Sequence, residues 1–129
     1  MILIGRGAGL SVYFTTLPYG SKIMSWIYLV LAGFMEIGWP LGFKMAQISS
    51  YRAAWIVFSA LSMAASGLLL YLAQRAIPIG TAYAVWTGIG AAGAFTLGIV
   101  FFKDPVTFFR IFSAGLVVAG VIGLRLSHQ

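Results

Sequence analysis

WIYLVLAGFMEIGWPLGF, residues 26–43, carries a single charged side chain, Glu36. The run is close to the ~20 apolar residues that a helix needs to cross ~30 Å of hydrocarbon. A carboxylate near its middle would lie near the centre of a bilayer. A charge there costs at least ~2.5–3.5 kcal/mol, so it is kept for a use or for a partner. No Lys or Arg stands within a helical turn of it. The one other acid, Asp104, lies between Lys103 and Pro105 in what reads as a loop. Glu36 is therefore the first candidate for function, and the rest of the chain limits what that function can be.

The composition points to lipid as the solvent. Of 129 residues, 61% are hydrophobic and only 8% are charged, with a mean hydropathy of +1.01. A soluble domain covers its surface with ~25% charged residues. The net charge of +6 is spread one or two residues at a time between apolar runs, not gathered in a patch. It reads as a membrane property and not as a nucleic-acid footprint. Cysteine is absent, which excludes disulfides and thiolate metal sites. The only histidine, His128, cannot by itself make a His-based metal site or a Ser-His-Asp triad. The expectation is a protein that is not an enzyme and needs no metal and no cofactor.

Three further apolar runs follow, Ala53–Ala73, Thr81–Phe102 and Phe108–Leu124. They are separated by Lys44 to Arg52, by Arg75 to Gly80 with Pro78, and by Lys103-Asp104-Pro105. The predicted fold is all-α: four transmembrane helices over residues 24–129, with both termini on one side. Residues 1–23 contain Arg6, several glycines and Pro18, and are too broken to span. They also lack the order of a signal peptide. They read as a disordered extension or a misassigned start, with Met24-Ser25-Trp26 a natural beginning.

Orientation follows the Lys and Arg of short flanking loops. Arg6, Lys22, Arg75 and Arg125 fall on the terminal side, and Lys44, Arg52, Lys103 and Arg110 on the other. The balance predicts insertion in both orientations, as an antiparallel dimer requires. Starting at Met24 tips the count toward a fixed orientation, with the terminal side outside.

Gly88-Ile89-Gly90-Ala91-Ala92-Gly93 matches a dinucleotide fingerprint by letter, but follows no strand and has no acid about 20 residues on. Close helix approach and a flexible point at Gly88 and Gly90 suit it better. In the last run, Gly115, Ala119 and Gly123 make a small-residue stripe, with Gly120 beside it. In lipid such a stripe is an association surface, within the subunit or between two. In the first run, Gly33, Glu36, Trp39 and Phe43 share one helical face. Pro40 follows Glu36 by four and donates no hydrogen bond, which frees the Glu36 carbonyl. A helix kink with no other role is the plainer reading of Pro40. Tyr83 and Trp86 are i, i+3 neighbours. Aromatic faces beside a buried carboxylate make a cation site, whereas core packing is their commoner role.

From Met24-Ser25-Trp26 to His128 the chain resembles the small multidrug resistance transporters. The stretches that carry the likeness are Ala32-Gly33-Phe34-Met35-Glu36 and Ile77-Pro78-Ile79-Gly80-Thr81-Ala82-Tyr83-Ala84-Val85-Trp86-Thr87-Gly88-Ile89-Gly90. Trp39, Thr87 to Ala91 and Phe101-Phe102-Lys103-Asp104-Pro105 look like the guanidinium exporter branch (the SugE or Gdx type). The resemblance implies an antiparallel dimer with one site between the first three helices of both subunits. There both copies of Glu36 bind protons or a cationic substrate. It implies that Ser66 hydrogen-bonds the glutamate, and that Gly33, Trp39, Tyr83 and Trp86 line the site. Gly88 and Gly90 would form the third-helix kink, and Gly115, Ala119, Gly120 and Gly123 the dimer interface. Pro40 and Arg125 depart from the branch's pattern, and Pro40 together with the balanced charge leaves a heterodimer with a paralogue open.

The function expected is a proton-coupled antiporter in the bacterial plasma (inner) membrane, exporting guanidinium or small guanidinyl cations. Protons and substrate would compete for Glu36. The alternatives are a quaternary-ammonium or multidrug cation exporter, one subunit of a heterodimeric pair, and a non-transporting assembly subunit.

Overall fold

A computed structural model describes residues 19–127, which form four helices: α1 Tyr19–Ile48, α2 Arg52–Ala73, α3 Ile79–Phe102 and α4 Phe108–Ser127. All four are long and apolar enough to cross a membrane. The helices run beyond the apolar runs, because the polar ends of a spanning segment stay helical where they meet water. The largest difference is in α1. Its helix starts at Tyr19, just after Pro18 in the sequence, and continues through Lys44 to Ile48. Residues 19–23 of the expected extension are thus helical, while residues 1–18 and His128 lie outside the described residues.

The connections, residues 49–51, 74–78 and 103–107, are too short for anything but antiparallel neighbours. The last turn is clamped. Lys103 adopts a left-handed conformation with φ 56°, and the Asp104 N–H donates to the Gly98 carbonyl at 3.0 Å, closing the end of α3. Arg110 of α4 donates to the Pro105 carbonyl at 2.7 Å and pairs with Asp104 at 3.6 Å.

Little drives apolar helices together in hydrocarbon, so backbones must come close for packing to hold them. The interfaces of α1 show how this is met. Towards α2, a Cβ on Gly38 would stand 2.5 Å from Ser62 Oγ, and one on Gly42 would collide with Ser59 Oγ. Towards α3, a Cβ on Gly33 would stand 2.7 Å from Ile89, and one on Gly93 would collide with Ile37. A small apolar core of Leu29, Ala73, Ile77, Ala82 and Val85 closes the terminal end of these three helices. α4 leans on α3 through Val121 at Gly88 and has no buried residue. The outer surface is apolar, with Phe34, Leu61, Val100 and Phe109 all exposed. Such a surface is solvated by lipid, and the protein is a multi-pass membrane protein.

Candidate functional site at Glu36

Glu36 sits near the middle of the α1 span Lys22–Ile48, fourteen residues from one end and twelve from the other. Its side chain is half-buried and turned toward α2 and α3. On α2, Ser59, Ser62 and Ser66 recur at helical i, i+3, i+7 spacing and are all buried against α1. Ser66 is the centre of the site. Its hydroxyl lies 2.9 Å from Glu36 Oε2 and 2.9 Å from the Ala32 carbonyl. The indole N–H of Trp86 on α3 donates to the same oxygen at 2.9 Å. A hydroxyl has one hydrogen and two lone pairs. Trp86 occupies one lone pair, and the single hydrogen serves either the carboxylate or the carbonyl.

Gly90 is the third wall. A Cβ there would stand 2.7 Å from Glu36 Cγ and 3.2 Å from Glu36 Cβ. Only glycine lets α3 lie this close to the carboxylate. Tyr83 sets its ring against Trp86 at a centroid distance of 5.2 Å, tilted by 57°, and is itself exposed. Carboxylate, indole and phenol ring are therefore linked in one cluster, through hydrogen bonds and one ring contact. No Lys or Arg forms an ion pair with Glu36; the one ion pair among the described residues is Asp104 with Arg110.

The other expected residues are placed differently. Trp39 lies one turn beyond Glu36, with its ring edge-on to Phe43 at 5.7 Å and outside the Ser66 hydrogen bonds. Its carbonyl accepts from Ser59 at 3.0 Å, on the stretch of α1 that Pro40 leaves short of hydrogen bonds. Gly33 is buried under Ile89 and works in packing. Gly88 and Gly90 lie within an α3 that is continuous from Ile79 to Phe102, and both are used for close approach. On α4, Gly115, Gly120 and Gly123 have no neighbour within 4 Å of a built Cβ, and Ala119 is exposed.

Sequence reading missed the Ala32 carbonyl, Ser59, and the contact of Gly90 with Glu36. The serine spacing on α2 and the Gly38/Gly42 pair were the available signals. A backbone acceptor such as Ala32 carries no signal in the sequence.

The arrangement is a carboxylate in an apolar surround, held by neutral donors and flanked by aromatic faces. A carboxylate beside aromatic faces can attract a cation. Comparison with known proteins agrees. The family model described as Small Multidrug Resistance protein matches residues 24–117. The chain is 47% identical over 104 residues to a protein named guanidinium exporter from Yersinia pseudotuberculosis serotype I, covering 81% of this chain and 99% of that one. It is 44% identical over 104 residues to proteins of the same name from Citrobacter freundii and Salmonella typhimurium, covering 81% of this chain and 98% of each. The matched region holds the whole Glu36, Ser66, Trp86 and Gly90 cluster, and the chain belongs to the small multidrug resistance family.

Proposed function

We infer that this protein exports guanidinium or small guanidinyl cations in exchange for protons, with Glu36 as the shared binding group. The observation that carries the reading is the Glu36 carboxylate, held by Ser66 and left without a cationic partner inside an apolar helix. A carboxylate in that setting must be neutralised by a proton or by a bound cation. Guanidinium is planar with paired donors, and a carboxylate accepts two of them in parallel. The names of the relatives favour this cation over a bulky quaternary ammonium, which offers no N–H donor.

The functional unit is an antiparallel dimer in the bacterial inner membrane, with one site shared by two copies of Glu36. Protons and guanidinium then exclude one another, and the dimer alternates the loaded site between the two faces of the membrane. The half-exposed Tyr83 and Trp86 faces would complete the site against the second subunit, and the open α4 stripe would hold the two together.

Purified protein in liposomes tests the reading. A guanidinium gradient should drive proton movement across the membrane. Guanidinium affinity should fall as pH falls, because protonation removes the charge that attracts the cation. Affinity unchanged between about pH 5 and 8 would refute competition at one carboxylate. Topology reporters at the C-terminus should give signals on both sides of the membrane, and a one-sided signal would favour pairing with a paralogue.

A further inference from the structure

A groove of about 940 Å³ opens on the outside of the subunit between α1, α3 and α4, away from Glu36. Its walls are aliphatic: Ile23, Ile27, Val30 and Leu31 from α1, Ile89 from α3 and Ile122 from α4. Its mouth is basic, formed by Lys22 of α1 and Arg125 of α4. The Arg125 guanidinium stands over the Trp26 ring at 4.2 Å, one turn inside Lys22. This stacking holds the guanidinium at the mouth of the groove.

The dimensions match half a bilayer. From Lys22 to Leu31 the α1 wall advances about 14 Å at 1.5 Å per residue. One leaflet of a ~30 Å hydrocarbon core is about as deep. The charges at the mouth have no acid to meet. The described residues contain only two acids, and Asp104 is paired with Arg110 at the other end of the helices. Glu36 lies fourteen residues further along α1, about 21 Å away, and is turned to Ser66.

We propose that this groove binds one anionic phospholipid, with the phosphate at Lys22 and Arg125 and an acyl chain along α1. Charge decides between a lipid and a second copy of the chain as the occupant. With eight Lys and Arg against two acids, a second copy would bring more positive charge to a positive mouth. An anionic lipid brings the missing charge and the hydrocarbon together. Basic pockets between membrane helices recognise phospholipid headgroups in this way.

The test is native mass spectrometry of the full chain released from bilayers of equal phosphatidylglycerol and phosphatidylcholine. The wild type should retain phosphatidylglycerol in preference. Arg125→Gln and Lys22→Gln should each lower that preference about fivefold, the effect of one surface cation. Ile27→Trp fills the groove, leaves both cations in place, and should lower retention of either lipid. Circular dichroism confirms that each variant keeps its helices, and Lys22→Gln reads the same quantity should Arg125→Gln not fold. Equal retention of the two lipids, or a preference that survives both charge removals, would overturn the proposal. So would efficient cross-linking between copies through Ile27→Cys, which would place a second chain in the groove.

Discussion

Helices α1 and α3, on one side, and α4, on the other, use the same residue type in opposite ways. In α1 and α3, each of the glycines Gly33, Gly38, Gly42, Gly90 and Gly93 is pressed against a neighbour, within 2.7 Å of a built Cβ or closer. In α4, Gly115, Gly120 and Gly123 meet nothing within 4 Å. In water an exposed glycine stripe would mean little. In lipid, close backbone approach is the main source of helix association, so a small-residue stripe without a neighbour is surface left for a partner. The glycines of α1 and α3 bring Glu36, Ser66 and Trp86 together, and those of α4 are open. A side chain added to a packed glycine should therefore damage the site, and one added to an open glycine should leave the subunit intact.

The largest effect tests the object that the packed glycines surround. Glu36→Gln should abolish guanidinium-driven proton movement in liposomes while the helical content stays at the wild-type level. Residual coupled transport would remove Glu36 from the centre of the mechanism. Gly90→Ala comes next. The new methyl would stand 2.7 Å from Glu36 Cγ, so α3 or the glutamate must shift. Overpacking of this kind costs ~1–3 kcal/mol, and transport should fall at least tenfold with the dimer retained. A fully active Gly90→Ala would mean that the contact is slack.

Ser66→Ala removes the acceptor of Trp86 and the donor to Glu36 in one step. Guanidinium binding measured by calorimetry should weaken about tenfold, as expected for buried polar groups left unpaired. Wild-type affinity would show that Ser66 only fills space. On the open side, Gly115→Leu should leave the thermal midpoint of the subunit nearly unchanged and shift detergent-solubilised protein from dimer to monomer. An unchanged dimer would place the interface elsewhere. The smallest effect is expected at Gly67 of α2, which has no neighbour within 4 Å. Gly67→Ala should raise stability by up to ~1 kcal/mol through helix propensity alone. A marked loss there would break the distinction between packed and open glycines.

Much of this was legible in the sequence. Four apolar runs of spanning length set the helix count, and a lone acid in the first run marks the candidate site. Helix ends were less legible, because polar residues such as Lys22 and Lys44 stay helical past the hydrocarbon edge. Trp39 shares a helical face with Glu36, yet its ring goes to Phe43. Spacing fixes a face but not where a long side chain is aimed on it. Gly90 reads as a loose point in a helix or as a point of close approach, since a glycine's letter is the same in both cases, and the structure shows the close approach. The groove beside Lys22 and Arg125 joins residues about a hundred positions apart, and no local pattern connects them.

The hydrogen bonds around Ala32 bear on the stiffness of α1. By helix geometry the Ala32 carbonyl already receives the peptide N–H of Glu36. Ser66 is a second claimant on that carbonyl, at 2.9 Å. One turn on, the Glu36 carbonyl faces Pro40 and receives no peptide N–H. Two successive rungs of the same hydrogen-bonded row are thus weakened, one by sharing and one by absence, with Glu36 between them. Both weakened rungs meet at Glu36. On the proposed exchange, a proton on the carboxylate would free the Ser66 hydrogen for Ala32 and change the stiffness of that joint. Loading of the site and bending of the helix that carries it would then be coupled within a single turn of backbone.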